Sequence, residues 1–123
     1  MIVPGGLGVN QQIRNQTLLS FLAAQADKQK RVISVCSGSL ILAASGLLNG
    51  RQATSHWSRE HQAKSMFPEV RWDIDKIFLR DGKYYSSAGV TTGIDLCLHI
   101  LEEDHGRELA QDVARELVLF MRR

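Results

Sequence analysis

Cys36 is the residue whose neighbours best equip it for chemistry. It follows Arg31-Val-Ile-Ser-Val35, a β-branched run that reads as a short buried parallel strand. It precedes Leu40-Ile-Leu-Ala-Ala44, an apolar, helix-capable segment that stops at Gly46. A strand that turns directly into a helix crowds its own backbone. Ser34 and Gly38, two residues before and two after the cysteine, supply the small side chains that a nucleophile elbow requires. Such a turn lifts one side chain out at the carboxyl edge of the sheet and aims the Ser37 and Gly38 amides at whatever sits there. A helix N-terminus favours thiolate over thiol, so an exposed Cys36 is expected to be a nucleophile. The same pattern also accommodates a buried core cysteine, since free cysteines are among the most buried residues.

Two further loops fall where ligands gather in parallel sheets, beyond the carboxyl ends of strands. Pro4-Gly5-Gly6 follows Ile2-Val3, and Ala88-Gly89-Val90-Thr91 opens a helix. Glycines there serve either a simple turn or a close backbone approach to a ligand or an oxyanion. The expected binding set is therefore Gly5, Gly6, Ser37, Gly38 and Thr91, around Cys36. His56, after the short run Gln52-Ala-Thr-Ser55, is the candidate base; a local hydrogen bond at the start of a helix is its alternative role. His99 shares a polar helix face with Asp95, and His105 precedes a capping glycine. His56 and His61 do not have zinc-binding spacing, and Gly5-Gly6-Leu7-Gly8 lacks the dinucleotide fingerprint, so neither metal nor cofactor is expected.

The elements that would position these groups alternate. A helix is expected over 10–27, capped by Asn10, with Ile13, Thr17, Leu18, Phe21 and Leu22 inward. After the elbow helix come a turn at Asn49-Gly50, a strand over 52–55, a helix over 57–67, and strands over 70–75 and 77–80. Asp81-Gly82 signals a hairpin leading to a strand over 83–88. Ile94, Cys97, Leu98 and Leu101 form the expected core stripe of the next helix, which makes Cys97 a packing residue. A last helix is expected to reach about Met121, with Leu109, Val113, Leu117 and Phe120 or Met121 inward. The alternation argues an α/β fold with a largely parallel sheet.

The 123 residues are 44% hydrophobic, enough for one domain with a real core. A net charge of +2, spread along the chain, is no nucleic-acid signature. Two cysteines outside any C-x-x-C fit a reduced, cytoplasmic protein, and no apolar run approaches membrane-spanning length.

Pro4-Gly5-Gly6, Val35-Cys36-Ser37-Gly38, Ala53-Thr-Ser-His56-Trp57 and Ser87-Ala-Gly-Val-Thr-Thr-Gly-Ile-Asp95 together resemble the class I glutamine amidotransferase-like, or ThiJ/PfpI, superfamily. The tail, 101–110 and 113–123, resembles the amidotransferase-like sensor domain of AraC-type transcriptional regulators. The resemblance implies a flavodoxin-like three-layer sandwich with a mostly parallel sheet and a nucleophile elbow. It also implies a partial domain over 1–123, because the family domain starts one strand-helix-strand unit earlier. The first strand here would then be a sheet edge, prone to recruiting a second copy.

The resemblance further implies a regulatory domain that senses a small polar or nitrogen-containing metabolite. DNA would be reached only through a helix-turn-helix module outside this chain. Its alternative is a cysteine-dependent hydrolase or hydratase, of amidase or isocyanide hydratase type. Whether the chain is an enzyme stays open. Cys36 is present, and His56 matches the histidine some ThiJ-like members bring from the strand after the elbow helix. The late triad histidine and an acidic partner are not found.

Overall fold

The computed structural model describes residues 1–118. The chain builds β1 (Ile2–Val3), α1 (Val9–Gln12), α2 (Gln16–Ala26), β2 (Val32–Val35), α3 (Gly38–Ala44) and β3 (Gln52–Ala53). A 3₁₀ turn (Trp57–Arg59) then leads into α4 (Glu60–Met66), β4 (Arg71–Trp72), β5 (Phe78–Asp81), β6 (Tyr84–Ser87), α5 (Val90–His105) and α6 (Arg107–Glu116). The main sheet has the order β1-β2-β6-β5, with β1, β2 and β6 parallel and β5 antiparallel. β3 and β4 form a separate parallel pair.

Alternation along β2 sends successive side chains to opposite faces. Val32 joins Val3, Tyr84, Leu40, Ile41 and Leu22 on the face covered by α2 and α3. Ile33 joins Tyr85 and Leu96 on the face covered by α5. Helices on both faces of a mostly parallel sheet make the expected three-layer α/β sandwich.

Several local expectations are corrected. The helix over 10–27 is broken: Asn15 is extended (φ −86°, ψ 91°) and its side chain accepts the Leu18 amide, capping α2. Asn competes with the helix for backbone partners, so it starts helices better than it continues them. Asn10 caps nothing; its carbonyl accepts from Arg59 at 2.7 Å and Gln62 at 2.8 Å. The restart resets the helical phase, so Leu19, Leu22 and Ala26 are buried while Phe21 is exposed.

On α5 the buried residues are Gly93, Leu96 and Leu98, and Ile94 and Cys97 are exposed. Leu96 faces the sheet. Leu98, about 200° further round, is on the opposite flank and is buried as expected, and α6 packs along α5. α6 buries the small residues Ala110 and Ala114 and leaves Leu109 and Leu117 exposed, so those two leucines do not face inward. Phe120 and Met121 lie outside the described residues. The strand over 70–75 shrinks to β4 and joins β3 rather than the main sheet. The hairpin turn is centred on Gly82 and Lys83, because Asp81 is already paired with Tyr84.

The cross-layer ties sit at the ends of α5. Arg31 grips Asp104 with two bonds, 2.8 and 2.5 Å, and its Nε donates to the Tyr85 hydroxyl at 3.3 Å. Tyr85 donates to Glu103 at 2.9 Å, and Glu103 also accepts from Arg80 at 2.7 Å. This pairing holds the Asp104 carboxyl below its usual range and raises Arg31.

Candidate functional site

The turn between β2 and α3 carries the elbow. Cys36 has φ +56°, a left-handed conformation that side chains disfavour and that persists only when the surroundings hold it. Three hydrogen bonds do so. The Cys36 N–H donates to the Ser87 carbonyl at 3.0 Å, which ties the elbow to the end of β6. The Cys36 carbonyl accepts from Ser39 Oγ at 3.4 Å and from Ser55 Oγ at 3.3 Å. The cysteine is half-buried, so it is not the core residue that the bland reading allowed.

Gly5 and Gly6 lie directly on this turn. A Cβ at Gly5 would stand 2.5 Å from Ser37 Oγ and 2.7 Å from Ser37 N. A Cβ at Gly38 would stand 2.2 Å from the Val3 carbonyl oxygen. The two backbones touch, and only glycine on each side permits it. The contact is sealed by the Gly6 amide donating to Ser37 Oγ at 3.1 Å, so that amide is already engaged. On the other flank, a Cβ at Gly93 would meet Val35 Cγ1 at 3.1 Å, which brings the first turns of α5 against the elbow strand. Thr91 is exposed on that first turn. The neighbouring Thr92 hydroxyl is spent on Gly89, accepting its amide at 2.7 Å.

His56 follows the strap formed by Thr54 and Ser55. The Thr54 amide donates to Ser86 Oγ at 2.9 Å and its hydroxyl donates to the Lys76 carbonyl at 3.1 Å. His56 Nδ1 accepts the Ser58 amide at 3.2 Å and lies 2.7 Å from Ser58 Oγ. This caps the 3₁₀ turn. The Nδ1 edge of the ring is therefore turned to Ser58. The ring lies tilted to Trp57, 5.4 Å between centroids.

The five expected binding residues and Cys36 are thus distributed over three adjoining loops, with Thr91 the outermost. The hydroxyls of Ser39 and Ser55 and the carbonyl of Ser87 are the site features that sequence reasoning missed. Ser55 was legible only as the end of a short strand; its place beside His56, beyond a strand's carboxyl end, is the signal that would have found it. Ser34 Oγ, beneath the elbow, is buried with no hydrogen-bond partner among the described residues. Leu7, Trp57 and Val90, each a few residues along the chain from a group bonded to the elbow, are exposed.

An apolar cavity of about 340 Å³ lies elsewhere, between β1, α1, α2 and α3, with Val3, Val9, Leu18 and Ile41 in its wall. Gly5 is the one expected site residue that lines it, and neither Cys36 nor His56 does. Partial desolvation pushes the Cys97 thiol up, although the residue is exposed. Among the described residues no three His, Cys, Asp or Glu side chains converge as a metal site would require.

Known proteins resemble this chain in sequence and in fold. Isonitrile hydratase of Pseudomonas putida is 37% identical over 115 residues, covering 94% of this chain and 49% of that protein. The transcriptional regulator GbdR of Pseudomonas aeruginosa is 34% identical over 118 residues, covering 96% of this chain and 32% of that protein. The chain therefore spans half or less of the length of these curated relatives. The crystal structure of a ThiJ/PfpI family protein from Pseudomonas syringae superposes with a TM-score of 0.77 at 35% identity, over 93% of this chain and 48% of that one. The DJ-1/PfpI family model matches residues 1–103, a stretch that contains the elbow, the Gly5-Gly6 loop, the His56 strap and most of α5. With that match over most of its length, this chain belongs to the DJ-1/PfpI family.

Proposed function

We propose that this chain is the small-molecule-sensing part of an AraC-type transcriptional regulator, with the Cys36 elbow as the ligand site and little or no catalysis. One observation carries the reading: His56, the imidazole adjoining the elbow strap, turns its Nδ1 to the Ser58 amide. A thiol without a free base is a poor hydrolytic site but an adequate wall for a bound metabolite. The similarity to GbdR over almost the whole chain supports the same reading. The ligand is a small polar or nitrogen-containing metabolite, held by the elbow and by the Gly5-Gly6 and Thr91 loops. DNA contact belongs to a helix-turn-helix module outside these residues, and the setting is cytoplasmic. Exposed Leu7, Trp57 and Val90, and exposed Ile2 on a strand paired on one side only among the described residues, favour a homo-oligomer.

A hydratase is the second reading, favoured by the higher identity to isonitrile hydratase. The deciding experiment titrates glycine betaine and L-arginine by thermal shift and assays cyclohexyl isocyanide in parallel. A saturable rise in melting temperature with either amine, without isocyanide turnover, supports sensing. Cys36-dependent hydration near ~1 s⁻¹, the low end of ordinary enzymes, overturns it.

A further inference from the structure

Three hydrogen bonds hold the left-handed turn at Cys36, and they are not equivalent. Ser39 lies on the first turn of α3, three residues on, and its 3.4 Å bond to the Cys36 carbonyl is local to the elbow. The bond to Ser87 is a continuation of the β2–β6 ladder. Ser55 alone comes from the strap. It is completely buried, donates to the Cys36 carbonyl at 3.3 Å, and has no competing solvent. The residues on either side are themselves fastened, Thr54 to Ser86 and Lys76, His56 to Ser58.

From this geometry we infer that Ser55 is a positioning residue of the site: its hydroxyl holds the Cys36 carbonyl, and with it the φ +56° turn that presents the thiol at the sheet edge. It touches no ligand itself. Its action runs through the backbone: without Ser55 the Cys36 carbonyl keeps only the 3.4 Å bond from Ser39, which sits on the elbow's own helix and cannot tie the turn to the strap. Turning the peptide after Cys36 relaxes the left-handed conformation and withdraws the side chain from the edge. The inference rests on the elbow being the working site, as proposed above, and applies to a sensing or a reacting thiol alike.

The test compares Ser55→Val, which has no hydroxyl, with Ser55→Thr, which has the same branched shape as valine and keeps the hydroxyl, so the added methyl group is common to both. Iodoacetamide labelling of Cys36 is measured by mass spectrometry, with Cys97 in the same molecule as reference. In Ser55→Val the Cys36-to-Cys97 rate ratio is expected to fall roughly three- to tenfold, the equivalent of about one net hydrogen bond. In Ser55→Thr it should stay within about twofold of the parent by the same reckoning. A merely structural role, acting through global loosening, raises labelling at both cysteines and lowers neither.

Amide exchange at Cys36 gives a second reading, expected to accelerate in the valine variant while Leu96 stays protected. An unchanged or increased labelling ratio with unchanged Cys36 exchange in the valine variant overturns the inference. The failure of the elbow reading is a different result, a parent ratio near one. Should the valine variant not fold, Ser55→Ala carries the same comparison against Ser55→Thr.

Discussion

Replacing Gly38 by alanine tests the contact on which the elbow depends. The new Cβ would stand 2.2 Å from the Val3 carbonyl oxygen and 2.9 Å from both carbonyl atoms of Pro4. Ordinary van der Waals contact begins near 3.4 Å, so one backbone must retreat by roughly 1 Å. Neither side can yield by a rotamer change, because the obstruction is main chain. If β1 moves, its register against β2, Ile2 with Ile33 and Val3 with Ser34, is lost. If α3 moves, the buried Leu40 and Leu42 leave their seats. Overpacking a core costs about 1–3 kcal/mol, and a backbone-to-backbone clash belongs at the top of that range. Alanine's better helix propensity returns at most about 1 kcal/mol, leaving a loss near 2 kcal/mol. For a domain of this size that lowers Tm by roughly 8 °C. Circular-dichroism melts decide it, with Gly8→Ala as control, since a Cβ there meets nothing within 4 Å. A Gly38→Ala variant that melts within about 2 °C of the parent, a shift below ~0.5 kcal/mol, would refute the close approach of β1 and α3.

Two other outcomes are expected. In the parent protein at neutral pH, iodoacetamide should modify Cys36 well before Cys97, whose raised pKa leaves less thiolate, and the Cys97 rate should climb as pH rises; equal labelling would sink the elbow assignment. Asp104→Asn should lower Tm most above about pH 5, because a carboxyl held below its unfolded value of about 3.9 stabilises the fold above that value and loses the contribution as pH falls through the lower folded one. Melts from pH 7 down to 2.5 check this, and a Tm difference that stays constant across the range would count against the Arg31–Asp104 pair as its source.

The elbow was legible because its cause is local. A β-branched strand, small residues two positions to either side of one cysteine, and a short apolar helix leave few other arrangements. The three-layer fold followed from alternation of elements in the same way. What escaped was set by contacts between distant segments. The inward stripe of α5 was right at Leu98 and wrong at Ile94 and Cys97, because Leu96 takes the place against the sheet, and α6 buries Ala110 and Ala114 rather than its leucines. Small residues carry little hydrophobic signal, so the pattern favoured leucines that the packing leaves exposed. Asn10 and Asn15 are equally good caps on paper, and the partners Arg59 and Gln62 decided which one was free to cap. The hydroxyl bonds at Cys36 were illegible for a related reason: Ser55 is separated from it by a helix, a turn and a strand.

The buried polar side chains among the described residues are all serine or threonine: Ser34, Ser37, Ser39, Thr54, Ser55, Ser86 and Ser87. Hydroxyls of this kind neither gain nor lose a proton anywhere in the range a cell experiences. The foundation beneath Cys36 therefore presents the same dipoles in the same places at every physiological pH. No buried carboxylate or ammonium stands there to attract a counter-ion or impose a preferred net charge on a guest. The frame beneath the elbow is thus a set of fixed, uncharged dipoles, and it sorts its guests by where they can donate and accept hydrogen bonds.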